Sequence, residues 1–139
     1  MASRTPVILV VESEPLTRER LGWWLDEAGF ETLTCPGPSA PDYTCVAGRG
    51  GGCPLTRSAD LVLLDLWLGS DRAVMGTRSS ELLRYYLSSG KPVIALGHRR
   101  DHTRFDLQFL EEPVTWLDGP ADRRELVETV AAVLRSPVP

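Results

Sequence analysis

Three groups of side chains in this 139-residue sequence have types that do chemistry: the carboxylates Glu12 and Asp65, the thiols Cys35, Cys45 and Cys53, and the paired cations Arg99 and Arg100. A carboxylate can attack phosphorus or hold a divalent cation. Two carboxylates in one crevice repel, which raises at least one pKa unless a cation intervenes. Ser13 follows Glu12 directly but stands 52 residues from Asp65, so only topology can bring these groups together. The cysteines are separated by nine and seven residues, not the two to four of common zinc knuckles. Their odd number argues against a disulfide framework. They are read as incidental to a glycine-rich loop, with a zinc or redox site, His98 and His102 nearby, as the alternative. Arg99 and Arg100 follow an apolar run and would offer positive charge to an anion at its end.

The elements that must position these groups are short and apolar. Residues 61–64 (Leu-Val-Leu-Leu) are too few for a helix and lack the alternation of a half-exposed sheet. Such a run marks a parallel strand buried on both faces, and Asp65 falls just past its carboxyl end, where open α/β sheets place their sites. Residues 7–11 (Val-Ile-Leu-Val-Val) form a second such strand, ending at Glu12. Pro15 suits a first helical turn, and Leu21, Trp24, Leu25 and Ala28 then fall at helical spacing. Trp23 lies off that stripe and is expected to be half-covered by a neighbouring element. Gly29 ends the helix, and residues 30–35 read as an outer strand.

Residues 36–58 hold five glycines, four prolines and two cysteines, so an irregular loop is expected where a regular β/α repeat would place a helix. The run Gly48-Arg-Gly-Gly-Gly52 lacks the leading strand and the Gly-Lys-Ser/Thr of a phosphate-binding loop. Residues 69–79 read as a second long loop, with Trp67 either covering the pocket beside Asp65 or filling that loop. Further elements are a helix over 81–87, a strand over 91–96, a helix over 103–110 and a strand over 114–117. A capping box, Asp122-x-x-Glu125, opens a helix bearing Leu126, Val127, Val130, Val133 and Leu134. Alternating strands and helices give a doubly wound, five-stranded parallel sheet of order 2-1-3-4-5, a flavodoxin-like α/β fold. Its crevice between strands 1 and 3 brings Glu12, Ser13 and Asp65 together.

Composition narrows the function classes. One domain over residues 1–139 is the natural count. A net charge of −4 gives no global case for nucleic acid. The apolar run at 7–11 is too short for a signal peptide or a membrane span, so a cytoplasmic protein with reduced thiols is expected. Lys91 is the single lysine among 15 basic residues.

The pieces Val7-Ile-Leu-Val-Val-Glu-Ser-Glu-Pro15, Asp60-Leu-Val-Leu-Leu-Asp-Leu-Trp-Leu68, Lys91-Pro-Val-Ile-Ala-Leu96 and Asp122-x-x-Glu-Leu126 together resemble the receiver domain of bacterial response regulators. The resemblance implies that Asp65 sits at the position that accepts a phosphoryl group from a histidine kinase. It also implies an acidic pair after strand 1, a hydroxyl after strand 4 and a lysine after strand 5. This sequence keeps Glu12 but has Ser13, Gly97 and Gly119 at the other three positions, and Lys91 lies at the opposite edge of the sheet. Fewer anionic ligands imply a weak Mg²⁺ site at Glu12 and Asp65. The missing hydroxyl removes the handle of the usual switch.

The expectation is therefore an atypical, stand-alone receiver that needs no cofactor and acts by contact with a protein partner or as a homodimer. In receivers the face of the fourth helix, fifth strand and fifth helix carries such contacts, which points to Trp116, Arg123 and Arg124. The alternative is a ligand-, metal- or redox-responsive module using the cysteine loop. Catalysis is not expected: Trp67 replaces the second carboxylate of an Asp-x-Asp phosphatase, and no nucleophile elbow is present.

Overall fold

Apolar strands need cover on both faces, and elements packed on each side of the sheet supply it. The computed structural model describes residues 4–12, 14–36, 53–65, 85–97, 114–118 and 122–135. In chain order the elements are β1 (Val7–Val11), α1 (Pro15–Glu27), β2 (Glu31–Cys35), α2 (Pro54–Ser58), β3 (Leu61–Asp65), β4 (Val93–Gly97), β5 (Thr115–Asp118) and α3 (Arg123–Arg135). The five strands pair in parallel in the order β2-β1-β3-β4-β5, as the sequence pattern predicts.

Side chains alternate across the sheet. Ile8, Val10, Leu61, Leu63, Ile94 and Leu96 pack on one side with Leu21 and Leu25 of α1 and Leu126 and Val130 of α3. Leu9, Val11, Val62, Leu64, Val93 and Ala95 pack on the other with Cys35, Cys53, Tyr86 and Leu87. Double cover is why the central strands carry no alternation in sequence. Arg123 reaches Glu27 at 3.3 Å, joining α3 to α1 at the surface.

Local chemistry sets the ends of the elements. Pro15 occupies the first turn of α1, and Gly29 at φ +98° closes it. The Asp122 carboxylate accepts the Glu125 N–H at 2.7 Å, which caps α3. At the amino-terminal edge, Asp60 Oδ2 accepts the Val7 N–H at 2.8 Å while Arg4 Nη1 donates to the same oxygen at 3.0 Å. The Asp60 N–H in turn donates to the Val7 carbonyl at 2.7 Å.

Several expectations shift. Within the span read as irregular, Pro54–Ser58 form a short helix, started by Pro54 and tied down where Cys53 N–H donates to Tyr85 Oη at 2.9 Å. Residues 37–52 lie outside the described residues, as do the loop at 69–79 and the helix expected over 103–110. Of the helix expected at 81–87, residues 85–88 are described and helical. Trp23 is not half-covered but 57% exposed, because α1 turns its neighbours Leu21 and Leu25 inward and no described element overlies the opposite flank. Asp65 is the last residue of β3 rather than the residue after it, since its backbone pairs with Leu96.

Leu63, with no exposed surface, tests this core. Leu63→Ala is expected to destabilise the fold by about 2–5 kcal/mol, read as a lowered urea midpoint with an unchanged slope.

Candidate functional site

The register of β1 against β3 assembles the site. Val11 pairs with Leu64, so Glu12, one step on, comes level with Asp65 at the carboxyl edge of the sheet. Gly97 ends β4 at the same edge, where it pairs with Asp118 of β5. The structure therefore brings together Glu12, Asp65 and Gly97. Ser13, Arg99, Arg100, Gly119 and Cys45 lie outside the described residues, as do Trp67, His98 and His102. Lys91 precedes β4, at the opposite edge from Asp65, as its place in the sequence implies.

Glu12 is the unusual group. Only 3% of it is exposed, and its backbone is fixed from both sides. Its N–H donates to the Cys35 carbonyl at 2.9 Å, and its carbonyl accepts from Arg18 Nη1 at 2.9 Å. On the side chain, Oε1 accepts the Glu14 N–H at 3.2 Å, whereas Oε2 is buried and makes no hydrogen bond of ordinary geometry to a described residue. Burial is the largest cause that pushes its pKa from 4.5 to about 9. Hydrogen bonding and charge repulsion from Asp65 add to this, while the Glu14 N–H works the other way. At neutral pH Glu12 is a protonated acid beside Asp65.

Glu14 does not stand in for the missing second acid. Its carboxylate turns away to cap α1, accepting the Leu16 N–H at 3.2 Å and the Thr17 N–H at 2.6 Å. Hydrogen bonding from the Thr17 side chain, followed by that from the Thr17 and Leu16 N–H groups, holds its pKa below the ordinary value. Sequence reasoning missed both this cap and the Arg18 contact. The signal for the cap was an acid directly before a first-turn proline; no pattern announces a guanidinium reaching back six residues to a carbonyl.

Cys35 and Cys53 are buried and part of one apolar cluster. Among the described residues no group of three or more His, Cys, Asp or Glu side chains is placed to hold a metal ion. Glu12 and Asp65 alone are a thin donor set for Mg²⁺, because one of the two must first lose a proton at a pKa of about 9. The residues expected at a contact face are placed as follows. Trp116 is half-buried, packed against the cluster that holds Cys35, while Arg124 pairs with Glu128 at 3.0 Å along α3. No described helix is long and apolar enough to cross a membrane.

No family model and no curated protein matches the sequence. Solved structures do. A receiver domain protein from Methanospirillum hungatei superposes with a TM-score of 0.66 at 16% identity, covering 94% of each chain. One from Clostridium thermocellum gives 0.66 at 19% identity over 93% of this chain and 94% of that one. A receiver protein from Sinorhizobium medicae gives 0.67 at 14% identity over 96% and 97%.

Because Glu12 binds a proton in the folded state that the unfolded chain releases above about pH 4.5, stability falls as pH rises from there to about 9. Glu12→Gln removes that penalty while keeping the shape. The variant is expected to match wild type near pH 4.5 and to melt at least about 3 °C higher at pH 8, worth about 1 kcal/mol, by calorimetry across that range.

Proposed function

We propose that this chain, which has the fold of response-regulator receiver domains, is a receiver-like signalling module that acts by protein contact and accepts a phosphoryl group at Asp65 slowly or not at all. The observation that carries this reading is Glu12, buried and neutral beside Asp65 at the carboxyl edge of the sheet.

Attack by an Asp65 oxygen on phosphorus forms an acyl phosphate and expels the donor's leaving group, adding negative charge next to Glu12. In receivers a divalent cation and a lysine neutralise that charge, and a hydroxyl at the end of strand 4 moves to meet the phosphoryl oxygen. Here the strand-4 position is Gly97, buried and without a side chain to move. The sequence has Ser13 and Gly119 at the other two positions. Each change removes either charge neutralisation or the moving part. Mg²⁺ binding at Glu12 and Asp65 is accordingly weak in this reading, and no cofactor or catalytic turnover is assigned. A protein partner, with a histidine kinase as the ordinary phosphoryl source, would read the fold through the flank of β5 and α3, where Arg123 and Arg124 are exposed.

The test is incubation with acetyl phosphate and Mg²⁺ followed by intact-mass measurement, with Asp65→Asn as control. Little or no Asp65-dependent mass gain is expected. Rapid, near-complete modification at Asp65 accompanied by a change in oligomeric state would overturn the reading.

A further inference from the structure

β2 and β5 are the edges of the described sheet. Glu31 N–H points inward to the Pro6 carbonyl at 3.0 Å, so by strand alternation Thr32 and Thr34 turn their N–H and C=O groups outward. Natural edge strands are commonly blunted by lysine, proline or a bulge. β2 (ETLTC) has no lysine or proline, and it pairs with β1 residue for residue without a bulge. Beside it, an open groove of about 780 Å³ runs between β2 and the outer flank of α1, lined by Leu16, Glu19, Arg20, Trp23, Asp26 and Thr34 among others. Leu16 and Trp23, two helical turns apart and so on one face, are 71% and 57% exposed.

We propose that this edge docks a second copy of the same chain, β2 pairing antiparallel with its counterpart about a two-fold axis through Leu33. The edge is complementary to itself in that register. Thr32 of one protomer faces Thr34 of the other, and these are the residues whose backbone groups point outward, so each pair exchanges both hydrogen bonds. Threonine pairs are favourable cross-strand neighbours. Glu31 faces Cys35, so no like charges oppose. Leu33 faces Leu33.

The helices obey the same symmetry. A Cβ placed on Gly22 would lie 3.8 Å from both Thr32 Oγ1 and Thr34 Cγ2, so α1 crosses β2 near its midpoint. The axis therefore sets the two α1 helices antiparallel on one side of a continuous sheet. Arg18, four residues before that midpoint, then comes level with Asp26, four residues after it, and Trp23 enters the groove formed by both protomers. Such an isologous contact closes at two copies. The mixed lining, Arg20 with Glu19 and Asp26, does not favour a strongly charged ligand.

Sedimentation equilibrium of the full chain from about 1 µM to about 1 mM reads the proposal directly. The mass is expected to rise from one chain to two, and Trp23→Lys and Thr34→Pro are each expected to weaken association at least about tenfold. Thr34→Pro removes an outward N–H and spares the ladder to β1. If its circular dichroism shows lost structure, Trp23→Lys and Leu16→Lys, both at exposed positions, decide instead. A one-chain mass at every concentration overturns the proposal. So does a dimer that folded variants leave unchanged, or one lost only on Trp116→Ala.

Discussion

The structure depends on β1 being enclosed on all sides. It has β2 and β3 as neighbours in the sheet, α1 on one face, and the cluster around Cys53 and Tyr86 on the other. Ile8, Leu9 and Val10 expose nothing and Val11 almost nothing. A strand held this way delivers whatever follows it into a desolvated position. The residue that follows is Glu12, whose backbone is already committed to Cys35 and Arg18. Its carboxyl group has nowhere to go but the sheet edge beside Asp65. The perturbed acid is thus a product of packing rather than of a local motif.

That origin explains what was legible in the sequence. The apolar runs at 7–11 and 61–64 announce buried parallel strands because double cover removes the need for polar positions, and the doubly wound pattern then supplies the strand order. The meeting of Glu12 with Asp65 could be read for the same reason. Three things could not. Asp65 inside β3 depends on a backbone partner, Leu96, thirty-one residues away in the chain. The helix Pro54–Ser58 depends on the Tyr85 hydroxyl that anchors its start, a contact made across the fold. The exposure of Trp23 was misread because an aromatic residue is usually covered, and its own helix gives no sign of which flank lacks a neighbour.

The two edges of the sheet carry different chemistry. The carboxyl edge gathers acids and, at Gly97, carries no side chain. The β2 edge carries threonines, an exposed indole and balanced charge. In the reading proposed above, the first edge is a poor switch, and the second is a surface at which binding alone would carry information. Such a device would answer to concentration, not to covalent state.

Asp60 has a consequence for how the chain finds its fold. β1 and β3 are distant in sequence, and parallel pairing of distant segments is slow to establish. A slip of one residue would turn Leu61 and Leu63 away from α1 and α3. In the correct register the Asp60 carboxylate takes both the first N–H of β1 and the Arg4 guanidinium. A shifted alignment parts that carboxylate from the Val7 N–H. Asp60 therefore acts as an index mark between the two central strands, a polar check on an alignment that the apolar side chains alone would specify only by face.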